Sequence, residues 1–328
     1  MYDFVSSRIW TWYRFSQYLC PVGKCSWGRE VDGMNGRLGL DQLARISKFI
    51  AKLNVQKRHH IGYVGDQEDE ILKTLHEEFN GEGRWERYFT QVLESDRIIG
   101  VLGLNIDEET GNAEMWGPYI DGTDQDYITV AVDLWNRGIA KVGNVVREYH
   151  GFYNKENVRG HEFMEYLQAQ RMSGHLIMKL KKPEGSWSLD HAVQKISPEW
   201  HEDFIRLHAR TFPNTYYNAE NVLQLANKED NRLYVAIVEG DFAGYCYTEA
   251  EPDFQEGNIE YIAVDEQYRG KGIGKKLLYA ALNDLFFKDS IHEVSICVDE
   301  FNAAAAGLYR CAGFYTDNVL QYYKVTIG

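Results

Sequence analysis

The chain has 328 residues, 44% apolar and 26% charged, and its 35 Lys+Arg against 49 Asp+Glu leave a net charge of −14. That composition excludes disorder and predicts a soluble chain of about two domains, with no apolar run of about 18 residues to span a membrane. The acid excess argues against a nucleic-acid partner, which needs a cationic face, and suits a positively charged partner or substrate.

Residues 1–40 are aromatic-rich and irregular, broken by Pro21, Gly23, Gly28, Gly33 and Gly36, and read as a docking arm or a partner or dimer contact. Arg8 and Arg14 interrupt any apolar core of a signal peptide there. Leu43, Ile46, Ile50 and Leu53 keep helical spacing over residues 40–53. A short strand follows at 61–64, then a helix around Ile71, Leu75 and Phe79. Residues 88–93 and 97–104 form a hairpin about Glu94-Ser95-Asp96, and 114–120 another strand. Residues 127–140 read as helix, 147–153 as strand, 157–171 as helix and 175–180 as strand.

The same order then returns. Residues 192–196 are a strand, and 198–209 a helix with Ser197 as N-cap and Pro198 in its first turn. Residues 233–239 and 242–249 form a hairpin about Gly240-Asp241. A strand at 259–264, a helix at 275–287, a strand at 293–298, a helix at 303–311 and a strand at 320–326 complete it. One constant offset lays Leu233 on Tyr88, the IEYIAV strand on EMWGPY and Asn302 on Asn157. A shared element order at one offset predicts a duplicated domain. The expected division is an extension and helix over 1–58, a first domain over 59–183 and a second over 184–328, broken at Lys182-Pro183-Glu184-Gly185. Cys20, Cys25, Cys246, Cys297 and Cys311 are too scattered for a disulfide framework or a metal site, so no metal and a reducing, cytoplasmic setting are expected.

The chemistry concentrates in the second half. Strand 259–264 runs through Arg269-Gly270-Lys271-Gly272-Ile273-Gly274 into a helix beginning near Lys275. Glycines there let backbone N–H groups line an anion cradle at the helix N-terminus, and Arg269, Lys271, Lys275 and Lys276 add charge for phosphates. The spacing is neither a P-loop nor a dinucleotide fingerprint. Asn302 then opens a helix with Ala305, Leu308 and Tyr309, closed by Gly313-Phe314.

Together the two motifs resemble the GNAT superfamily of N-acetyltransferases. Arg269, Gly272 and Gly274 fill the family's [QR]-x-x-G-x-[GA], and Asn302, Ala305, Leu308, Tyr309, Gly313 and Phe314 its second helix, over roughly residues 190–328. The resemblance implies an α/β fold of two tandem GNAT-like domains, each a mostly antiparallel twisted sheet with flanking helices and splayed central strands. It implies acetyl-CoA as co-substrate, with its pyrophosphate on the amides of 269–274 and its pantetheine arm paired to the backbone of Ile262 and Val264. Asn302 would contact the arm, Tyr309 would protonate the departing thiolate, and the Val264 N–H would hold the oxyanion.

Asn258, Glu260, Ile262 and Val264 share one strand face, which makes Glu260 the first candidate for the base, directly or through water, and Glu249 the reserve. The acceptor, a small or peptide amine, would enter beside residues 212–217, and a homodimer is open. At the overlaid positions Asp124 to Thr129 replace the cradle and Met164 replaces Tyr309, so the first domain reads as a degenerate copy. The competing reading is a non-catalytic acyl-CoA sensor or scaffold.

Overall fold

The computed structural model describes residues 35–79, 84–108, 110–122, 126–213, 215 and 217–327. The arm at 1–34 lies outside the described residues. The chain divides into two compact units, whose described parts are 35–174 with 319–327 and 175–318. No described helix is long and apolar enough to cross a membrane.

The first unit opens with helices α1 (Asn35–Asn54), α2 (Glu68–Phe79) and α3 (Arg84–Tyr88). Its sheet holds β1 (Phe89–Glu94), β2 (Arg97–Asp107), β3 (Asn112–Ile120) and β4 (Glu148–Asn154), with α4 (Tyr127–Val142) and α5 (Val158–Tyr166) between and after the last two. β1, β2 and β3 pair antiparallel. β3 and β4 run parallel and pair only from Asn112↔Glu148 to Glu114↔His150. Thr90, Leu102 and Leu104 face α4 at Gly138, whereas Gln91 on the opposite face accepts a hydrogen bond from Gln42 of α1. That alternation is the period-2 signal of a strand buried on both sides.

The chain crosses between units along β5 (Gln170–Lys181), whose residues from His175 onward pair antiparallel with β10 (Glu293–Asp299) of the second unit. Lys179 Nζ lies 2.8 Å from Glu293 Oε1 in that pair. The second unit continues through β6 (Val193–Lys195), α6 (His201–Thr211), α7 (Ala219–Leu225), β7 (Arg232–Val238), β8 (Asp241–Glu251), β9 (Glu256–Val264), α8 (Ile273–Phe287) and, after β10, α9 (Ala303–Ala312). β6 to β9 pair antiparallel in turn. β11 (Tyr315–Thr326) then pairs antiparallel with β4, so the first unit receives its last strand from the C-terminal end of the sequence. α8 and α9 cover the sheet face carrying Tyr234, Ala236 and Cys246. Phe204 and His208 of α6 meet the other face at Tyr245, 4.7 and 5.8 Å between ring centroids.

Three local expectations change. Residues 61–64 form no strand: Ile61 makes one isolated bridge to Tyr153, and Asn54 holds the segment by accepting from Ile61 N–H and donating to the Val64 carbonyl. The helix expected to Arg171 stops at Tyr166, because Gln168 sits at φ +54 and β5 begins at Gln170. Ser197 gives no side-chain cap; its hydroxyl donates to Glu199, and a 3₁₀ turn at Pro198–Trp200 precedes α6. Helix α7 was not legible as a periodic run, although Asn218 caps it in the ordinary way, accepting from Asn221 N–H at 2.8 Å.

Candidate active site

β9 and β10 run parallel but pair only from Glu256↔Glu293 to Asn258↔Ser295. Beyond that point β9 keeps only its other neighbour, β8, through to Gly244↔Val264. Asp265 N–H donates to the Ala243 carbonyl at 2.9 Å, which fixes the phase of the ladder. From Tyr261 onward, past the bulge opposite Tyr247, odd-numbered residues of β9 point their backbone groups at β8, and Ile262 and Val264 point theirs into the wedge that β10 has vacated. A wedge of strand-edge donors and acceptors, walled by two diverging strands, accepts an extended amide-bearing chain by strand addition.

At the wedge's mouth Glu266–Tyr268 makes one 3₁₀ turn, with Asp265 accepting from Gln267 N–H. Gly270 and Gly272 then adopt φ +74 and +78, and a Cβ on either would meet nothing within 4 Å. Glycine is used here for its conformation, and the space beside it is open. Gly272 caps α8, whose first N–H groups have no partner a turn earlier. Gly274 acts by size: a Cβ there would sit 3.3 Å from Leu308 Cδ2 and 3.6 Å from Val264 Cγ2. Around this turn Lys271 lies over the Tyr268 ring and Lys275 over Tyr279. Arg269 Nε donates to the Val264 carbonyl, and Lys276 pairs with Asp190 at 3.0 Å. The open glycine turn, the helix N-terminus and two exposed lysines fit a pyrophosphate, and the wedge fits the arm of an acyl-CoA.

Glu260 stands two residues past the last β9–β10 pair. Its charge reaches Cys297 on β10 and Tyr247 on β8, helping to hold both groups protonated. Tyr309 is 3% exposed and rests on Phe314. Burial, then the Cys246 and Cys297 thiols, raise its pKa far above the ordinary phenol value. Glu260 and Tyr309 each interact electrostatically with Cys297. Asn302 Oδ1 accepts from Ala305 N–H at 3.1 Å, so its carbonyl oxygen is used as a helix cap. Asn157 does the same for Gly160 in the first unit.

The opposite face of β8 and β9 carries groups that the motifs did not indicate. Tyr247 donates to Glu249 Oε1 at 2.6 Å and accepts from Asn231 Nδ2 at 3.0 Å. Burial lowers the Lys228 pKa, against the nearby Glu249 charge. Glu249 is thus 5% exposed and occupied by Tyr247; the bulge opposite Tyr247 turns Glu260 toward this same face and away from Ile262 and Val264, which corrects the shared face expected from alternation. His208, Tyr245 and Tyr261 form a second buried cluster reaching Thr215 and Tyr217. A lone helical His and alternating tyrosines give no sequence signal that they meet.

The first unit has the corresponding splay, filled by its own side chains. Gly100↔Ile120 matches Gly244↔Val264, and Asp121 N–H donates to Ile99 as Asp265 does to Ala243. Where Ile262 offers an amide, that strand has Pro118, which has no N–H. Tyr153 of β4 donates to the Gly117 carbonyl at 2.6 Å, and Tyr127 donates to the Pro118 carbonyl at 3.2 Å. Met164 is fully buried where the second unit has Tyr309. Asp124 and Gln125 lie outside the described residues. Among the described residues, no cluster of three His, Cys, Asp or Glu could hold a metal ion.

Residues 197–314 match the acetyltransferase (GNAT) family, so the chain carries a GNAT acetyltransferase family domain. An N-alpha-acetyltransferase of Sulfurisphaera tokodaii is 34% identical over 101 residues, 28% of this chain and 60% of that protein. A spermine/spermidine N(1)-acetyltransferase of Bacillus subtilis is 30% identical over 90 residues, 26% of this chain and 59% of that protein. The chain thus spans about 60% of the length of the curated relatives it matches. A tandem GNAT protein from the clavulanic acid biosynthesis pathway superposes with a TM-score of 0.60 at 13% identity, covering 88% of this chain and 95% of its own. That likeness gives the fold of nearly the whole chain: a mixed α/β architecture with a mostly antiparallel sheet.

Proposed function

We propose that the unit of residues 175–318 is an acetyl-CoA-dependent N-acetyltransferase, moving an acetyl group to a primary amine by direct attack in a ternary complex. The observation that carries the proposal is the wedge. The backbone groups of Ile262 and Val264 open into it, and it ends at a glycine turn built for a pyrophosphate. The family match over 197–314 supports the reaction class.

In this reading acetyl-CoA supplies the activated acyl group, and the chain's own residues do the rest. Arg269, Gly270, Lys271, Gly272, Ile273, Gly274 and Lys275 hold the pyrophosphate; Ile262, Val264 and Asn302 hold the arm. Glu260 takes the proton from the acceptor ammonium, directly or through a water, leaving a lone pair to form the C–N bond. The Val264 N–H holds the charge that develops on the carbonyl oxygen. As the C–S bond breaks, Tyr309 gives its proton to the departing sulfur and, through solvent, recovers the second proton that the former amine nitrogen sheds as the amide forms. Its raised pKa keeps it in the donor form. The acceptor is a small or peptide amine; the acidic chain favours a cationic one.

The test is release of CoA thiol from acetyl-CoA across a panel of polyamines, amino sugars and α-amino peptides, with mass spectrometry of the product for one added acetyl group. Tight binding without product from any amine would replace the transferase by the sensor.

A further inference from the structure

The hydroxyl of Tyr261 sits on the face of β9 opposite the wedge and reaches the connection between α6 and α7. It lies 2.7 Å from Thr215 Oγ1 and accepts from Tyr217 N–H at 3.4 Å. The same connection is held a second time: His208 Nε2 is 2.8 Å from the Tyr217 carbonyl. A carbonyl can only accept, so Nε2 carries the proton. In the neutral ring Nδ1 then accepts, and the Tyr245 hydroxyl, 2.6 Å away, donates to it. His208 is 1% exposed, and its burial lowers the ring's pKa, consistent with the neutral form. The Tyr261 ring fills the space between these bonds, meeting His208 at 4.9 Å and Phe212 at 5.2 Å, both edge-on.

Tyr261 lies between Glu260 and Ile262 in the strand, so whatever fixes its ring fixes the backbone that presents both. We propose that Tyr261, supported by His208, is a positioning residue: it latches Thr215 and Tyr217 to β9 and so sets the acceptor side in register with the wedge. This rests on the acetyl-transfer reading above and on entry of the amine beside the α6–α7 connection. The latch itself is a set of hydrogen bonds testable without catalysis.

The experiment uses the full chain, with spermidine as acceptor probe, and three variants: Tyr261→Phe, Thr215→Val and the double. Thr215→Val removes the bond between Thr215 and Tyr261, Tyr261→Phe removes that bond and the one from Tyr217 N–H, and each keeps the shape. One lost hydrogen bond predicts a rise in spermidine KM of about 3–10-fold, with acetyl-CoA KM within about twofold of wild type. The double variant should cost no more than Tyr261→Phe alone, because the bond that Thr215→Val removes is already lost in it. Hydrogen exchange of the Tyr217 amide should quicken by a similar factor in Tyr261→Phe and be restored to neither rate by adding acetyl-CoA alone. An unchanged spermidine KM, equal rises in both KM values, or additive costs in the double would overturn the latch. If wild type transfers nothing to spermidine, the transfer reading fails for that amine, and exchange decides the latch alone: faster exchange supports it and unchanged exchange overturns it.

Discussion

Replacing Tyr309 by Phe removes one oxygen and leaves the ring. The structure lets its effects on folding and on rate be separated beforehand. Tyr309 packs on Phe314 with ring centroids 6.0 Å apart, a contact Phe keeps. Its hydroxyl makes no hydrogen bond to any described residue, so the substitution strands no partner. The folding cost is then within about 0.5 kcal/mol, a shift of about 2 °C or less for a unit of this size. The rate is different. General acid catalysis contributes about 10²–10⁴-fold, or about 3–5 kcal/mol of barrier, and Phe forfeits all of it. Because the Tyr309 pKa is raised well above the ordinary phenol value, wild type should show no Tyr309 limb between pH 6 and 9, and the deficit should be flat across that range. Thiol release with an accepted amine gives the rate, and calorimetry gives acetyl-CoA affinity, which should be unchanged. Full turnover in the variant, with an amine for which chemistry limits the rate, would return Tyr309 to a packing role and leave the sulfur to take its proton from water.

Glu260→Gln should lower kcat by about 10²–10⁴-fold while acetyl-CoA affinity holds, and a larger loss in Glu249→Gln would move the base to the other carboxylate. Gly272→Glu should abolish acetyl-CoA binding, since it forces a side chain at φ +78 and sets a negative charge in the cradle; wild-type affinity by calorimetry would refute that cradle. Calorimetry of the wild type should give one site per chain, because Tyr153 and Tyr127 occupy the carbonyls in the first unit's splay; two equivalent sites would contradict it. The His208 pKa is lowered on folding, so below about 6.5 the unfolded chain binds the extra proton and stability falls with falling pH, by up to about 1.4 kcal/mol per unit. That contribution is fully present above the unfolded pKa, and His208→Gln should remove its share of the acid slope in urea titrations at pH 7.5, 6 and 5; equal slopes would show that His208 carries no such linkage.

What the sequence made legible was local. The glycine turn before α8 and the Asn302 cap are set by backbone conformations that few residues adopt, so residue identity alone announces them. The alternation along β9 placed Ile262 and Val264 on one face, but it set Glu260 with them because the bulge opposite Tyr247 leaves no trace in the sequence. What stayed hidden depends on partners far along the chain. No periodicity records that His175–Lys181 pairs with β10, or that Leu320–Thr326 pairs with β4. Nothing local joins His208 to Tyr245, or Tyr261 to Thr215, because a tyrosine in a strand reads as core until its hydroxyl is seen to end on another element. The 61–64 segment misled for the converse reason: its apolar run is real, but a buried Asn54 side chain supplies bonds that a strand neighbour would have supplied.

The two splays show two ways in which one strand arrangement can be completed. Parallel strands that pair for three residues and then part leave backbone groups that must be satisfied, because an orphaned buried amide or carbonyl costs about 1–3 kcal/mol. There are two ways to meet that demand. In the second unit, on the reading proposed above, the arm of an acyl-CoA would meet it at Ile262 and at the Val264 N–H, whereas the Val264 carbonyl already accepts from Arg269 Nε. In the first unit Pro118 deletes a donor outright, and the Tyr153 and Tyr127 hydroxyls satisfy the neighbouring carbonyls from within. With those hydroxyls in place the splay needs no ligand to be stable. The first unit thus has neither the cradle's cations and glycines after β3 nor an open splay, while the Asn157 cap matches that of Asn302 in the second unit.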